Sequence, residues 1–372
     1  MAVDLPSATA AGELNAKLAL IRVQLAAHDL GAVRLRGSDW FAWLTCGGSS
    51  VVDSSQESGA AELLVTADDV VVLVNRIDAR RICDEELPPD LRVIDLPWAV
   101  PTARDDAVRS VLAPGSCVAS DRPAGDELAL PGELTTARLR LMPLEVERFR
   151  TLGSDAARAS TATLTAARPT MTEACIAATA ADELMRLGMW PVVVLVGGAR
   201  RLPLYRHPTP RQDEPIGDRA MVVICARRHG LVASLTRFVY FRSRTEAERS
   251  ADAAVADVEA AAFAASRPGA TLGDVYRQIA AAYVRAGFAG AEADHHQGGL
   301  AGYRSREEIA TPSSLTRIGE GAALAWNPSL PGAKIEDTVV VGAAGLEVLT
   351  VDPDWPTIMV AGRARPDVLE LS

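Results

Sequence analysis

Short apolar and β-branched runs alternate with helical stretches from residue 11 to residue 142. Alternation at this spacing is typical of a layered α/β domain. We predict six strands there, at Ala32 to Arg36, Ala61 to Thr66, Val70 to Asn75, Leu91 to Leu96, Cys117 to Ser120 and Ala137 to Leu141. Met142-Pro143 ends the last strand, and a long Ala-rich helical run follows it, Leu144 to Ala167. The pattern therefore predicts two domains, 1–142 and 143–372.

The second domain repeats its helix boundaries at an offset of 99 residues. An Arg-Pro-x-x-Thr motif begins a predicted helix at Thr172 that ends at Gly188, and the same motif begins another at Thr271 that ends at Gly287. Threonine is a favoured residue just before a helix, and glycine is favoured just after one. Both helices therefore have matching start and stop signals.

Other positions recur at nearly the same offset. The apolar strand Val192 to Gly198 matches Glu292 to Gly298, and Ser234 matches Glu336 at an offset of 102. The two copies span about 144–241 and about 245–345. They predict an α+β domain with pseudo-twofold symmetry, whose ligand site lies between the copies.

Length, composition and charge exclude several classes of protein. The 372 residues are 48% hydrophobic and 23% charged, which is ordinary for a globular protein. A chain of this size needs neither a disulfide nor a structural metal to fold. Its net charge of −10 argues against binding to nucleic-acid phosphates, and it has no leader-like or membrane-spanning apolar segment. We therefore expect a soluble cytoplasmic protein without nucleic-acid or membrane partners.

Polar and ionisable residues cluster at equivalent places in the two copies. Tyr-Arg-His-Pro, which contains His207, follows the strand of the first copy, and Asp-His-His-Gln-Gly-Gly, which contains His295 and His296, lies in the second. These are three of the five histidines of the chain. Histidine supplies a metal ligand or an acid/base group near neutral pH, and glycine lets a backbone approach a ligand closely. We expect these segments to form the functional site.

The motifs of the second domain resemble those of the creatinase and aminopeptidase P superfamily. The resembling segments are Tyr-Arg-His-Pro around His207, Gly-Leu-Val-Ala-Ser-Leu-Thr-Arg ending at Arg237, His-His-Gln-Gly-Gly from His295 and Lys-Ile-Glu-Asp-Thr from Lys334. The resemblance extends into the first domain through Asp-Trp-Phe-Ala-Trp-Leu-Thr at residues 39–45. It implies an α/β N-terminal domain followed by an α+β pseudo-twofold C-terminal domain with the pita-bread fold.

The resemblance also implies a metal site whose ligands this chain mostly lacks. Metallopeptidases of the superfamily hold two divalent ions with two Asp, one His and two Glu. The matching positions are, in that order, Val223 or Ile224, Ser234, His296, Asn327 and Glu336. Bridging carboxylates are needed to hold two cations close together, so one glutamate does not suffice. We therefore expect no dinuclear site and no cofactor, and a lone metal on His296 and Glu336 is the alternative.

Creatinase, in the same superfamily, hydrolyses a C–N bond without metal and uses a histidine as acid and base. His207 matches that histidine, so the resemblance implies that it is catalytic, with His296 and Glu336 orienting substrate or water. The carboxylates that creatinase places around a guanidinium fall on the neutral Thr236 and Asn327, which argues against creatine as the substrate. The residues implied to bind a neutral or anionic small molecule are Trp40, Trp43, Ser234, Thr236, Arg237, Tyr303, Arg306, Asn327 and Lys334.

Two aromatic residues, Trp40 and Trp43, follow a predicted strand at a place where a polar loop is expected. In creatinase-like proteins the N-terminal domain of one subunit closes over the cleft of its neighbour. The resemblance therefore implies a homodimer with a shared active site, which these tryptophans help to cover. The alternative is that both rings pack in the core of their own domain.

Three functions stay open at this stage. The first is a metal-independent hydrolase or lyase that acts on a C–N bond of a small molecule. The second is a pseudoenzyme that binds a small molecule, peptide or protein, and the third is an Xaa-Pro-type aminopeptidase with a degenerate metal site. Retention of His207 with His296 and Glu336 favours the first.

Some of the candidate residues also have a purely structural interpretation. These alternatives are His207 in a surface loop, His295 as the structural member of its pair, Arg237 paired with Asp337 or Glu307, Tyr303 in the core and Cys225 as an inert thiol.

Overall fold

The computed structural model describes residues 9–371. The chain divides into two units, one up to Glu145 and one from Val146 onward. The helix Pro143–Ala166 contains the point of division. None of the helices within residues 9–371 is long and apolar enough to cross a lipid bilayer.

The N-terminal unit is built on a six-stranded sheet. Its strands are β1 Ala32–Gly37, β2 Ser58–Val65, β3 Val70–Asn75, β4 Arg92–Leu96, β5 Val118–Ser120 and β6 Leu128–Ala129. They lie in the order β4-β3-β2-β1-β5-β6, with β1–β2 and β2–β3 antiparallel and the other pairs parallel. The helices are α1 Ala10–Ala27, α2 Ser38–Leu44, α3 Arg76–Arg81, α4 Ala103–Val111 and α5 Gly132–Arg138, with a π-helical turn at Ile82–Glu86.

The first five predicted strands are present as β1 to β5, with ends that differ by no more than three residues. The sixth, predicted at Ala137 to Leu141, is wrong, because Ala137 lies in helix α5 and the residues after Arg138 form a turn. Pro131 precedes this helix in an extended conformation, and Leu134 buries one side of it. Alanine and arginine are also good helix formers. The sixth strand is instead Leu128–Ala129, which pairs with β5.

The aromatic segment after β1 forms helix α2. Trp40 is 4% exposed and Trp43 is 2% exposed. Their rings meet edge to face with centroids 5.3 Å apart, and the Arg138 guanidinium lies 4.3 Å from the Trp40 ring. The Lys17 ammonium donates a 2.6 Å hydrogen bond to the carbonyl oxygen of Trp43. The expectation of an exposed loop is therefore wrong, because both rings bury their large apolar surface within the N-terminal unit.

The C-terminal unit contains two sheets and two separate hairpins. Its helices are α6 Pro143–Ala166, α7 Glu173–Arg186, α8 Glu246–Ala265 and α9 Leu272–Arg285, with a 3₁₀ turn at Ala291–Ala293. The strands of the first sheet are β7 Trp190–Gly198, β8 Arg219–Arg228, β9 Leu231–Tyr240 and β19 Leu369–Glu370, the last strand in chain order. The remaining strands are β10 Gly298–Ala301, β11 Glu308–Ile309, β12 Ala323–Trp326, β13 Ser329–Leu330, β14 Ala333–Lys334, β15 Asp337–Gly342, β16 Gly345–Val348, β17 Thr357–Val360 and β18 Arg363–Pro366. The sheet orders are β19-β9-β8-β7 and β11-β10-β12-β15-β16, and the hairpins are β13-β14 and β17-β18.

The two helices that share the repeated motif have the same ends. Thr172 accepts a hydrogen bond from the backbone nitrogen of Cys175, and Thr271 accepts one from that of Asp274. Gly188 and Gly287, just past the two helices, have φ angles of 71° and 86°. A positive φ is the left-handed conformation that glycine adopts at little cost. The start and stop signals in the sequence therefore act as predicted.

The strand match at the same offset does not hold. Val192 to Gly198 lies in strand β7, but Glu292 to Gly298 forms the end of a 3₁₀ turn and a loop, and strand β10 begins only at Gly298. The second segment lacks the valine run of the first, so it has no β-branched side chains to pack on a sheet.

Gly298 is required by strand pairing. It has a φ of 105°, and a Cβ at this position would lie 2.0 Å from the carbonyl oxygen of Ala325 on the neighbouring strand. We expected this glycine to let the backbone approach a ligand. In the structure it instead allows a close approach between strands β10 and β12.

The two sheets meet where β9 runs beside the start of β15. The backbone nitrogen of Thr236 donates to the carbonyl oxygen of Glu336 at 3.0 Å, and that of Ser234 donates to Thr338 Oγ1 at 2.8 Å. Side chains alternate along a strand, so Ser234 and Thr236 share one face of β9 and Arg237 points to the other. This junction positions the functional residues described next.

Candidate active site

Three imidazoles from two separate segments meet in the C-terminal unit. Nε2 of His207 lies 2.8 Å from Nε2 of His295, a hydrogen bond between the two rings. His295 stacks on His296 with centroids 4.5 Å apart, and the rings of His207 and His296 are 5.8 Å apart. His207 is exposed and His295 is buried. The cluster therefore joins one ring open to solvent to two rings behind it.

The loop after β7 is anchored at the two residues that follow His207. The backbone nitrogen of Val196 donates to the carbonyl oxygen of Pro208 at 3.2 Å, which ties the loop to the strand. The buried Arg201 donates to the carbonyl oxygen of Thr209 at 3.0 Å and forms an ion pair with Glu173. These contacts fix the backbone just after His207.

The fully buried Gln297 fixes the other two histidines. Its amide nitrogen donates to the carbonyl oxygen of His295 at 2.5 Å, and its amide oxygen accepts from the Tyr283 hydroxyl at 3.1 Å. The backbone nitrogen of Asn327 donates to the carbonyl oxygen of Gln297 at 3.1 Å, which attaches the segment to β12.

Burial and nearby cations keep all three imidazoles neutral. Burial is the main cause that lowers the pKa of His295 to about 2, and Lys334 adds to it. Burial likewise lowers the pKa of His296 to about 4, and Arg306 and Lys334 add to it. Burial and Lys334 also lower the pKa of His207 below its usual value. A neutral imidazole has one nitrogen lone pair that can accept a proton or bind a metal.

Glu336 sits in a cage of donors. Its Oε1 accepts from Arg306 Nη2 at 2.8 Å, and its Oε2 accepts from Lys334 Nζ at 2.9 Å and from Thr236 Oγ1 at 2.8 Å. Burial alone would raise the pKa of Glu336, but Lys334 and Arg306 hold it well below its usual range. Two side-chain cations therefore bind the carboxylate that the resemblance assigns to metal.

The other implied ligand positions carry no carboxylate. Val223 is the cross-strand partner of Thr236, and Cys225 is that of Ser234, so all four side chains face the same way. This assigns the first aspartate position to Val223 rather than to Ile224. The Ser234 hydroxyl donates to Cys225 Sγ at 3.3 Å, and burial raises the pKa of the Cys225 thiol. Cys225 therefore fits the inert buried thiol.

A dinuclear metal centre does not fit these residues. Each oxygen of Glu336 already accepts from a cation, and Val223 and Ser234 supply no negative charge to hold two divalent ions. Asn327 is 2% exposed, and its Oδ1 has no hydrogen-bond partner within the described residues. A neutral amide oxygen of this kind suits a ligand that donates hydrogen bonds.

The structure brings together most of the predicted site residues. His207 and His296 share the imidazole cluster, and Arg306 donates to Ser234 at 3.4 Å as well as to Glu336. Lys334 and Arg306 also lower the pKa of His207, since a nearby positive charge disfavours the imidazolium. The residues in this arrangement are His207, Ser234, Thr236, His296, Arg306, Lys334 and Glu336.

Arg237 does not join them. It lies on the opposite face of β9, where its Nη2 donates to Asp337 Oδ1 at 2.8 Å and to the carbonyl oxygen of Thr350 at 2.7 Å. It is 5% exposed. The prediction that Arg237 binds substrate is therefore wrong, and the alternative of a pair with Asp337 is the one found.

Three other predicted residues are buried. Tyr303 is 3% exposed, and its role at the site stays a prediction. Trp40 and Trp43 are core residues of the N-terminal unit, so neither presents an exposed ring to a substrate.

His295 is the residue that the sequence analysis missed. It was interpreted as the structural member of its pair, but it makes the hydrogen bond to His207. The signal that could have found it is the adjacency of two histidines in a segment already expected at the site.

An α/β unit followed along the chain by an α+β unit that carries this site is the domain order of a pita-bread protein. Residues 147–343 match the model of metallopeptidase family M24, which is more than half of the chain. The chain therefore belongs to that family, and the resemblance to the creatinase and aminopeptidase P superfamily is confirmed.

Solved structures agree with this fold over nearly the whole chain. The dipeptidase PepE from Mycobacterium ulcerans is 19% identical, with a TM-score of 0.76 over 98% of this chain and 100% of that one. The prolidase from Pyrococcus horikoshii OT3 is 16% identical, with a TM-score of 0.75 over 91% and 98%. The X-Pro aminopeptidase from Thermotoga maritima MSB8 is 16% identical, with a TM-score of 0.73 over 95% and 99%. No curated protein matches the chain in sequence.

Proposed function

We propose that this protein is a metal-independent hydrolase that cleaves a C–N bond of a small molecule, with His207 as general acid and base. The observation that carries the proposal is the cage around Glu336, in which Lys334 and Arg306 occupy both carboxylate oxygens. A site arranged in this way has a retained acid/base histidine and no carboxylate left for metal. The alternative metallopeptidase mechanism would need that carboxylate.

The first step is proton abstraction from water by His207. When its Nε2–H donates to Nε2 of His295, the lone pair of His207 lies on Nδ1. Nδ1 then takes a proton from a water molecule as the water oxygen bonds to the carbon of the C–N bond. The hydrogen bond to His295 keeps the imidazolium in place, as an orienting partner does in other acid/base pairs.

The second step returns the proton. The imidazolium gives it to the leaving nitrogen as the C–N bond breaks, so His207 ends in its starting state. Negative charge that develops on the substrate is favoured by Arg306 and Lys334, which together carry one more charge than Glu336. Arg306 Nε is buried without a hydrogen-bond partner within the described residues, so it is available as a donor. These features support a substrate with a neutral or anionic group.

Further parts of the proposal rest on the family and on composition. Small peptides are among the substrates to test, because similar solved structures are named as a dipeptidase and a prolidase. We also propose a cytoplasmic protein that forms a homodimer and binds no nucleic acid, the last because of its net charge of −10. Our proposal gives Trp40 and Trp43 no role at the cleft of a partner subunit, because both rings are buried in their own unit.

The test begins with chelator-treated, untagged protein and a panel of amides, amidines, ureas and dipeptides. A positioned histidine contributes about 10²–10⁴ in rate, so His207→Ala should lose that factor in turnover and keep its fold. His229→Asn is the matched control, because His229 is exposed and its φ of 52° is one that asparagine tolerates. Activity of His207→Ala within a few-fold of wild type contradicts the role of His207. Binding of a panel compound without turnover favours a ligand-binding pseudoenzyme instead.

A further inference from the structure

The histidine cluster is a group of potential metal ligands that contains no carboxylate. One ring nitrogen each from His207, His295 and His296 lies within 4.8 Å of the others. No other such group of three or more histidine, cysteine or acidic side chains occurs within residues 9–371. We propose that these three imidazoles bind one Zn²⁺, or another ion that prefers imidazole ligands, at a place that shares His296 with the implied dinuclear centre but uses none of its carboxylate positions.

The three rings must shift before they can bind one ion, because their nitrogens lie within 4.8 Å of one another and not at the spacing of bound ligands. Tetrahedral zinc with Zn–N distances of 2.0–2.1 Å holds its ligand nitrogens about 3.3 Å apart. The Nε2 atoms of His207 and His295 are 2.8 Å apart, so they must separate by a few tenths of an ångström. The His207 side chain is exposed, so its ring can rotate by this amount while the backbone of its loop stays anchored. Three histidines and one open position form a coordination pattern that zinc adopts in proteins.

Two ring nitrogens in the cluster have unmet hydrogen-bonding capacity. Nδ1 of His295 and Nδ1 of His296 are buried and have no hydrogen-bond partner within the described residues. His295 is 8% exposed. A buried polar atom without a partner costs free energy, and an ion bound through Nδ1 of His296 would give that atom a partner, whereas Nδ1 of His295 carries the ring proton when its Nε2 binds the ion.

The chemical type of the ligands, together with the charges around them, determines which ion the cluster prefers. All three ligands are neutral, and the nearby charged groups are two cations, Lys334 and Arg306, and one anion, Glu336. Hard ions such as Mn²⁺ and Mg²⁺ need carboxylate oxygens, which the cluster does not offer. Imidazole suits zinc, copper, nickel and cobalt. The cluster should therefore take Zn²⁺ or Co²⁺ and reject Mn²⁺.

Occupation of the cluster should stop catalysis. Zinc takes the lone pair of His207, which is the base in the reaction described above. This consequence rests on the proposed function, whereas the binding itself does not. Zinc is therefore expected to act as a reversible inhibitor that a chelator removes.

The experiment measures binding without reference to activity. Untagged protein is stripped with a chelator and titrated with Co²⁺, whose visible absorption reports nitrogen coordination, and with Zn²⁺ in a calorimeter. We expect about one ion per chain. His295→Ala should weaken Zn²⁺ binding by more than the 10–100-fold that loss of an outer-shell partner costs, and His229→Asn should leave it unchanged. If His295→Ala fails to fold, His207→Ala provides the same test at an exposed position.

The outcomes separate the two proposals. Zinc binding that survives substitution of all three histidines, or equal binding of Mn²⁺, overturns the metal site. Zinc bound through the histidines supports the site whether or not turnover falls. If zinc binds in this way and turnover is unaffected, the role of His207 in the proposed reaction fails while the metal site stands.

Discussion

The carboxylate of Glu336 accepts hydrogen bonds from two cations and a hydroxyl. Removing a charged group from water costs several kcal/mol, and only well-placed partners offset that cost. Lys334 and Arg306 supply them here, in the place where the family resemblance implies metal ions. At the scale of single residues, the site therefore combines a buried ion cluster, in which Glu336 is fully paired, with the solvent-exposed imidazole of His207.

Glu336→Gln should destabilise the C-terminal unit. The amide keeps the size of the side chain but leaves the ammonium of Lys334 and the guanidinium of Arg306 buried without their counter-charge. Breaking a buried pair in this way costs about 3–5 kcal/mol of unfolding free energy, measured by urea denaturation. The control is Asp182→Ala, which breaks the exposed pair with Arg186 and should change stability by less than about 0.5 kcal/mol. A similarly small loss of unfolding free energy in both variants would show that Lys334 and Arg306 do not depend on Glu336 as their counter-charge.

The sequence placed some site residues well and others poorly for physical reasons. His207 and Lys334 were found because they lie in short motifs that the resemblance interprets. Arg237 was misplaced because its motif does not say which face of the strand it occupies. His295 was missed because its contact with His207 spans 88 residues of chain, which no local pattern reports.

At the scale of elements, strand β9 separates two ion clusters. Thr236 faces Glu336 on one side, and Arg237 faces Asp337 on the other. Asp337 also accepts from Arg365, which pairs with the buried Glu259 of helix α8. Alternation along one strand therefore keeps the candidate site apart from a structural network behind it.

Helix α8 carries another acid, the half-buried Asp252, in its first half. Arg244 pairs with it at 3.1 Å and also binds Asp367 and Glu370 near the end of the chain. Burial raises the pKa of Asp252 to about 6, although Arg244 favours the charged form. The folded state therefore keeps a proton that the unfolded chain has lost, and this is unfavourable to folding as the pH rises.

Asp252 should make the protein less stable as the pH rises from about 4 to about 6, and the loss should level off above that. The shift from 3.8 to about 6 corresponds to about 3 kcal/mol. Asp252→Asn removes this contribution, so the difference in unfolding free energy between variant and wild type should grow by about that amount between pH 4 and pH 7. Asp257→Asn, at an exposed position of the same helix, is the control. Parallel stability curves for wild type and Asp252→Asn would contradict the raised pKa.

At the scale of elements the sequence also predicted most of the fold. Thr172 and Thr271 act locally, so their helix ends could be recognised without tertiary information. The error at Ala137 came from a short run with no clear period, where packing of Leu134 decided for a helix. The aromatic segment at Trp40 was misjudged because exposure depends on neighbours such as Arg138, which is far away in sequence.

At the scale of the whole molecule, the proposed assembly is a homodimer. Static light scattering at micromolar concentration should give about twice the 39.3 kDa mass of the chain. The resemblance is the basis of this prediction, and the buried tryptophans no longer support a shared site. A mass near that of one chain would rule out the dimer and leave the chemistry of His207 unaffected.

The most direct test of the central claim is the manganese content of the protein. Untagged protein is incubated with excess Mn²⁺, desalted and analysed for metal by mass spectrometry. Manganese is the informative ion because it needs the carboxylate ligands of a dinuclear centre and is not held by imidazoles alone. Since Lys334 and Arg306 occupy Glu336, we predict that the protein retains much less than one manganese per chain. Retention of close to two per chain would contradict the account.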